Sequence, residues 1–140
     1  MIIADTGFWV ALANPKDRDH SRSRHALEEL EEPLITTWPV LTETCYLLTA
    51  FLGVDAEMRF LESVRAGASR LFALEQHHMP RVLALIEKYR DLPMDLADAS
   101  LVILAEEIGT GRILSTDRRD FRAYRWKSRR PFKNLLDPLE

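Results

Sequence analysis

The strongest constraint in this sequence is a set of short apolar runs, each too brief for a helix, with helix-length segments between them. Ile2-Ile3-Ala4, Leu34-Ile35-Thr36-Thr37, residues 70–74 and Arg112-Ile113-Leu114-Ser115 read as four strands. Strands separated by helices point to a parallel sheet with helices on both faces. The expected fold is therefore α/β, a three-layer α/β/α sandwich around a central parallel sheet. A length of 140 residues suits one domain, taken as 1–140. The tail from Arg122 onward is expected to supply a last edge strand.

The helices follow from apolar spacing. Residues 8–13 form a short one, stopped by Asn14-Pro15, and 19–32 a polar one with a thin stripe at Ala26, Leu27 and Leu30. Residues 39–52 form a longer one closed by Gly53, in keeping with the use of glycine at helix ends. The segment 55–66 is expected to face inward through Phe60, Leu61 and Val64, and 80–89 through Val82, Leu83 and Ile86. The most apolar helix is 95–108. Trp9 and Trp38 read as core, Trp126 as a residue able to stack on a base, and the four histidines as surface groups without metal-ligand spacing.

An apolar share of 46% is enough for a real core. No apolar run reaches the ~18 residues of a membrane span. The opening Met1-Ile2-Ile3-Ala4-Asp5 lacks a basic signal-peptide start. The single Cys45, read as a core thiol, excludes an internal disulfide framework. A cytoplasmic protein is expected.

Four acids stand out of place. Asp5 and Asp117 follow predicted buried strands, where the ligands of open parallel sheets gather. Glu43 has Pro39, Val40, Tyr46 and Leu47 as helical neighbours, and Asp98 opens the run Ala99 to Ala105. Each has a plainer explanation. Asp5 is placed to cap the following helix, Asp95 and Asp98 to form a helix N-terminus, Asp117 to make an Asx turn, and Glu43 to sit half-exposed near a helix start. In combination they are able to meet at one sheet edge. There each close pair of charges costs roughly 4 kcal/mol at an effective dielectric of 20. A divalent ion relieves that, and an all-oxygen donor set suits Mg²⁺, or Mn²⁺.

The net charge of −3 is unevenly spread. From Asp117 to Lys133 eight Lys/Arg face two aspartates, giving that stretch about +6 and the remainder about −9. An acidic body with one basic edge suits a protein that holds cations beside a polyanion.

Four pieces, in this order, carry a family resemblance: Ile-Ile-Ala-Asp5-Thr6-Gly-Phe-Trp; Thr42-Glu43; Tyr-Arg-Asp-Leu-Pro-Met-Asp95-Leu-Ala-Asp98-Ala; and Leu-Ser-Thr116-Asp117-Arg-Arg-Asp120-Phe121. With them the chain resembles the PIN domain, in particular the VapC-type toxins of toxin–antitoxin pairs. The resemblance implies Mg²⁺-dependent endoribonuclease activity with Asp5, Glu43, Asp98 and Asp117 as the metal-holding catalytic set. Thr6, Asp95, Thr116 and Asp120 take supporting places. Ser115 and the Arg118-Arg119 pair are read as features of this chain that leave the metal set untouched. Arg118, Arg119 and Arg122 are expected to attract the RNA backbone. The resemblance also implies a cognate antitoxin and a homodimer or toxin–antitoxin hetero-oligomer, with 19–32 and 55–66 as contact helices, although no clear exposed apolar patch is legible. The alternatives are a phosphatase, for which Gly7 stands where a helper acid is needed, and a receiver-like module, which lacks acids before Asp5. A third is a catalytically inactive PIN-shaped RNA- or protein-binding module.

Overall fold

The structure, a computed structural model, describes residues 1–137. Four short strands, β1 (Ile2–Ala4), β2 (Leu34–Thr37), β3 (Arg70–Phe72) and β4 (Arg112–Leu114), form the sheet with a fifth, β7 (Lys133–Asn134). Its order is β3-β2-β1-β4-β7, and every pairing is parallel. The edge strand expected from the tail is thus β7. Between β4 and β7 in the sequence comes a separate antiparallel hairpin, β5 (Arg125–Trp126) and β6 (Arg130–Pro131).

The flanking helices are α1 (Thr6–Ala13), α2 (His20–Glu29), α3 (Trp38–Leu52), α4 (Val54–Arg65), α5 (Met79–Lys88), α6 (Leu96–Ile108) and a short α7 (Arg118–Ala123). Helices on both faces of the sheet complete the three-layer α/β/α sandwich. β1, β4 and α6 form the centre of the core: Ile3, Ala4, Ile113, Leu114, Leu101, Val102 and Leu104 are all buried. Strands buried on both faces are continuously apolar, as parallel strands are. The chain leaves β1 toward β2 on one side, and β4 lies on the other. The crevice at the carboxyl ends of β1 and β4 is therefore the topological switch point, where open α/β sheets place their ligands.

Several expectations need correction. α5 buries Val82 and Leu85, while Leu83 and Ile86 face solvent. It packs mainly on α6, and spacing alone could not choose between two adjoining apolar stripes. α4 buries Ala56 and Phe60 but leaves Leu61 exposed. Trp9 is in the core, packed against Phe8 and Phe60, whereas Trp38, at the start of α3, is 54% exposed. Trp126 is buried and so unable to offer a face for stacking. His78 is buried too, its ring accepting from Glu75 N and meeting Glu107 Oε1 at 3.2 Å. Cys45 is half-buried. The polar helix ends at Glu29, and Asp117 is followed by a short helix over 118–123. An exposed apolar surface does exist, across Phe51, Leu52, Val54, Met58 and Leu61 on α3 and α4.

Candidate active site

Asp5 is the first residue after β1 and Asp117 lies just past β4, so adjacent parallel strands deliver both to the crevice. Asp98 comes from the first turn of α6 and Glu43 from α3. A cleft of about 430 Å³ opens there, and Asp5, Glu43, Asp95, Asp98, Asp117 and Asp120 contribute to its walls. No Lys, Arg or His lines it. All four expected metal-holding acids, and the supporting Thr6, Asp95, Thr116 and Asp120, are brought together; Arg118, Arg119 and Arg122 are not.

The plainer explanations for these acids hold at the same time. Asp5 caps α1, accepting from Thr6 N at 2.7 Å. Asp95 caps α6, accepting from Asp98 N at 2.8 Å, while Asp98 Oδ2 receives Asp95 N at 3.4 Å. Asp117 caps α7 through Asp120 N at 3.3 Å. Capping spends one carboxylate oxygen on a helix terminus and fixes the direction of the other. Helix N-termini also favour the ionised form.

Three side chains that were given no part in the site from sequence hold the acids in register. Ser115, fully buried, donates from Oγ to Asp5 Oδ2 at 2.9 Å and accepts Asp117 N at 3.0 Å. It joins the two strand-end acids directly, correcting its reading as a feature apart from the set. Asn134 on β7 clamps Ser115 in turn, accepting from Ser115 N at 3.1 Å and donating to Ser115 O at 2.8 Å. Tyr124, buried beneath α6, donates to Asp98 Oδ2 at 3.2 Å. Gly7 lets α1 approach β4: a Cβ there would stand 1.9 Å from Thr116 Oγ1.

Burial dominates the electrostatics. Desolvation raises Asp5 from 3.8 to about 7, with Glu43 and Asp117 adding to the rise and hydrogen bonds from Thr6 and Ser115 opposing it. Desolvation, then the Asp95 and Asp5 charges, raises Asp98 to about 8. Asp117 and Glu43 are raised for the same first reason, with neighbouring acids contributing. Tyr124 is pushed far up by burial and by Asp98.

These groups share one need, a compensating positive charge, and the lining supplies none. Thr6 Oγ1 lies close enough to Glu43 to favour its carboxylate, yet it stands as a buried hydroxyl without a hydrogen-bond partner. Hard oxygen donors, a raised carboxylate set and an orphaned hydroxyl fit a Mg²⁺ or Mn²⁺ ion. Among the described residues no three acids close into a ready-made ligand group. They line an open cleft, the arrangement that mutual repulsion favours.

The basic segment behaves less uniformly than its composition. Arg118 is turned inward to Asp19 Oδ1 at 3.2 Å, with Asp137 Oδ1 at 3.4 Å from Nε, near enough for charge attraction but not aligned for a hydrogen bond. Arg122 meets the same Asp137 at 3.6 Å. Two of the three cations expected to face RNA are therefore already matched by carboxylates. Arg119 is exposed and has no carboxylate partner among the described residues.

A parallel sheet of this order with an acid-lined switch point defines the class. The sequence matches the PIN domain family over residues 2–127, and the chain belongs to that family. It is similar to Ribonuclease VapC26 of Mycobacterium tuberculosis (strain ATCC 25618 / H37Rv), with 31% identity over 124 residues, 89% of this chain and 92% of the relative. Its fold is that of Mycobacterium tuberculosis VapC20, described as a sarcin-ricin loop cleaving toxin. The TM-score is 0.78 at 20% identity, covering 85% of this chain and 92% of the other. No helix among the described residues is long and apolar enough to cross a membrane.

Proposed function

We propose that this PIN-domain protein is a Mg²⁺-dependent endoribonuclease, the toxin of a VapBC-type toxin–antitoxin pair. The observation that carries the proposal is the cleft itself, with six acidic side chains and no cation at the switch point of the sheet. Membership of the family and the 31% identity to a VapC ribonuclease supply the reaction class.

Asp5, Glu43, Asp98 and Asp117 are the residues that would hold Mg²⁺, or Mn²⁺ in its place. Such an ion, when bound, offsets phosphate charge and makes a water nucleophilic near neutral pH. The chain's own residues do the positioning. Ser115 holds Asp5 and Asp117 at a fixed separation, Tyr124 fixes one oxygen of Asp98, and the helix caps orient the rest. Because Asp5 and Asp98 keep their protons unusually tightly, divalent ions and protons compete for them. Cleavage should therefore fall off on acidification at a pH well above the ordinary carboxylate range.

The partners follow from the same reading: an RNA substrate, a cognate antitoxin, and a homodimer or toxin–antitoxin hetero-oligomer. The exposed apolar surface on α3 and α4 offers area for protein contacts.

The test is cleavage of total RNA with and without Mg²⁺ by the wild type beside Asp98→Asn, with Mg²⁺ binding followed by calorimetry. Mg²⁺-dependent cuts that disappear in the variant are expected. Mg²⁺ binding with no cleavage of any RNA, or neither, would favour a catalytically inactive PIN-shaped module that binds RNA or protein.

A further inference from the structure

The cleft faces an electrostatic difficulty. A polyanion must enter a site walled by carboxylates, and no cation lines that wall. Affinity for a phosphate backbone must then come from cations elsewhere, since phosphate contacts supply most nucleic-acid affinity.

Several of the arginines in this chain are engaged in ion pairs. Arg65 pairs with Glu62, Arg81 with Glu106, Arg90 with Glu87, Arg112 with Glu32, and Arg118 and Arg122 with Asp137. Arg119 is not, and the β5–β6 hairpin with the start of β7 gathers four more such cations within seven residues. Lys127, Arg129, Arg130 and Lys133 are exposed there and have no carboxylate partner among the described residues. The hairpin that carries them is anchored. Trp126 is buried against Gly111, where an added Cβ would come within 2.2 Å of its Nε1, and that Nε1 donates to Pro131 O at 3.1 Å. Arg125 N donates to Tyr89 Oη at 2.9 Å. The Arg130 guanidinium lies 5.3 Å from the centre of the Trp126 ring and Lys127 Nζ 5.9 Å from it. Trp126 thus serves as a support on which cations rest.

The position is set by topology. Lys133 pairs with Arg112 at the beginning of β4, and Lys127 N donates to Glu106 near the end of α6. The acids gather at the other end of both elements. From Asp98 to Glu106 along α6 is about 12 Å at ~1.5 Å per residue. An A-form RNA stem covers that distance in a few base pairs.

We propose that the β5–β6 hairpin, with Lys133, is a remote anchor for the phosphate backbone of an RNA stem adjoining the cut site. This rests on the ribonuclease reading of the cleft and adds a substrate class to it: RNA with a structured flank, held by shape and charge rather than by sequence.

The test is fluorescence anisotropy of a labelled RNA stem-loop, in EDTA and across a KCl series, with wild type and with Arg129→Gln/Arg130→Gln/Lys133→Gln. The triple variant should bind about tenfold more weakly at low salt. Its log–log salt slope should fall by roughly two to three, at about 0.7–0.9 per lost phosphate contact. Arg129→Lys/Arg130→Lys should retain the wild-type slope, which a role in folding alone would not predict. Unchanged affinity and slope in the triple variant overturn the proposal. So does tighter binding of polyglutamate than of the stem-loop, which would assign the hairpin to an acidic protein segment. Mg²⁺-dependent cleavage of total RNA by the wild type reports on the cleft separately. Cleavage with unaltered stem binding in the triple variant removes the anchor alone. Absent cleavage with hairpin-dependent stem binding removes the ribonuclease reading and leaves the anchor.

Discussion

Replacing Asp5 by Asn should make the metal-free protein more stable at pH 8 while abolishing cleavage. Asp5 is only 6% exposed, and burial raises its carboxyl from 3.8 to about 7. At ~1.4 kcal/mol per pH unit, holding it ionised in the fold costs roughly 4 kcal/mol above pH 7. Asparagine removes that cost and keeps the cap on Thr6 N. It also turns an amide toward Ser115 Oγ, which forfeits about 1 kcal/mol of hydrogen bonding. The net gain should be about 2–3 kcal/mol at pH 8. The native state keeps its proton up to about pH 7, whereas the unfolded chain releases it near 3.8. Wild-type stability from this group is therefore greatest below pH 4, declines between about 4 and 7, and is level above. The advantage of the variant should follow the inverse course and vanish, or change sign, at pH 4. Urea unfolding in EDTA at the two pH values measures it. Adding Mg²⁺ should stabilise the wild type and narrow the gap, because a ligand of the native state stabilises by mass action. A variant no more stable than wild type at pH 8, or equally favoured at both pH values, would refute the reasoning.

Ser115→Ala removes the donor to Asp5 and the acceptor of Asp117 N. It should cost roughly 1–3 kcal/mol in thermal or urea melts and move the acid limb of the cleavage profile to higher pH. Gly7→Ala drives a Cβ into Thr116 Oγ1, at a cost of about 1–3 kcal/mol. Much of this should return in Gly7→Ala/Thr116→Ala, a coupling that a double-mutant cycle measures directly. Tyr124→Phe removes the hydroxyl donor to Asp98 Oδ2 and should lower kcat several-fold with little change in fold, followed by cleavage assay and circular dichroism.

The acids were legible because each breaks a local rule. Asp5 and Asp117 follow apolar strands, and Glu43 and Asp98 begin apolar helix faces. The groups that position them break no such rule. Ser115 closes a strand as many serines do, Tyr124 reaches Asp98 across 26 residues, and Asn134 acts through a strand of two residues. Such contacts exist only once the sheet is assembled. Charge was misleading for a related reason. Arg118 and Arg129 look alike in sequence, but Asp19 and Asp137 reach only the first. On α5, Leu83, Leu85 and Ile86 are equally apolar, and the choice of buried face belongs to α6 rather than to α5.

The clamp between Asn134 and Ser115 has a bearing on where this chain can be cut. The family match ends at residue 127, and a protein trimmed to that boundary keeps every acid of the cleft. It would lose β7 and with it both Asn134 bonds to the residue that ties Asp5 to Asp117. The outermost strand of the sheet therefore tensions the innermost acids from the far side of β4, as a bridge tensions a string it does not sound.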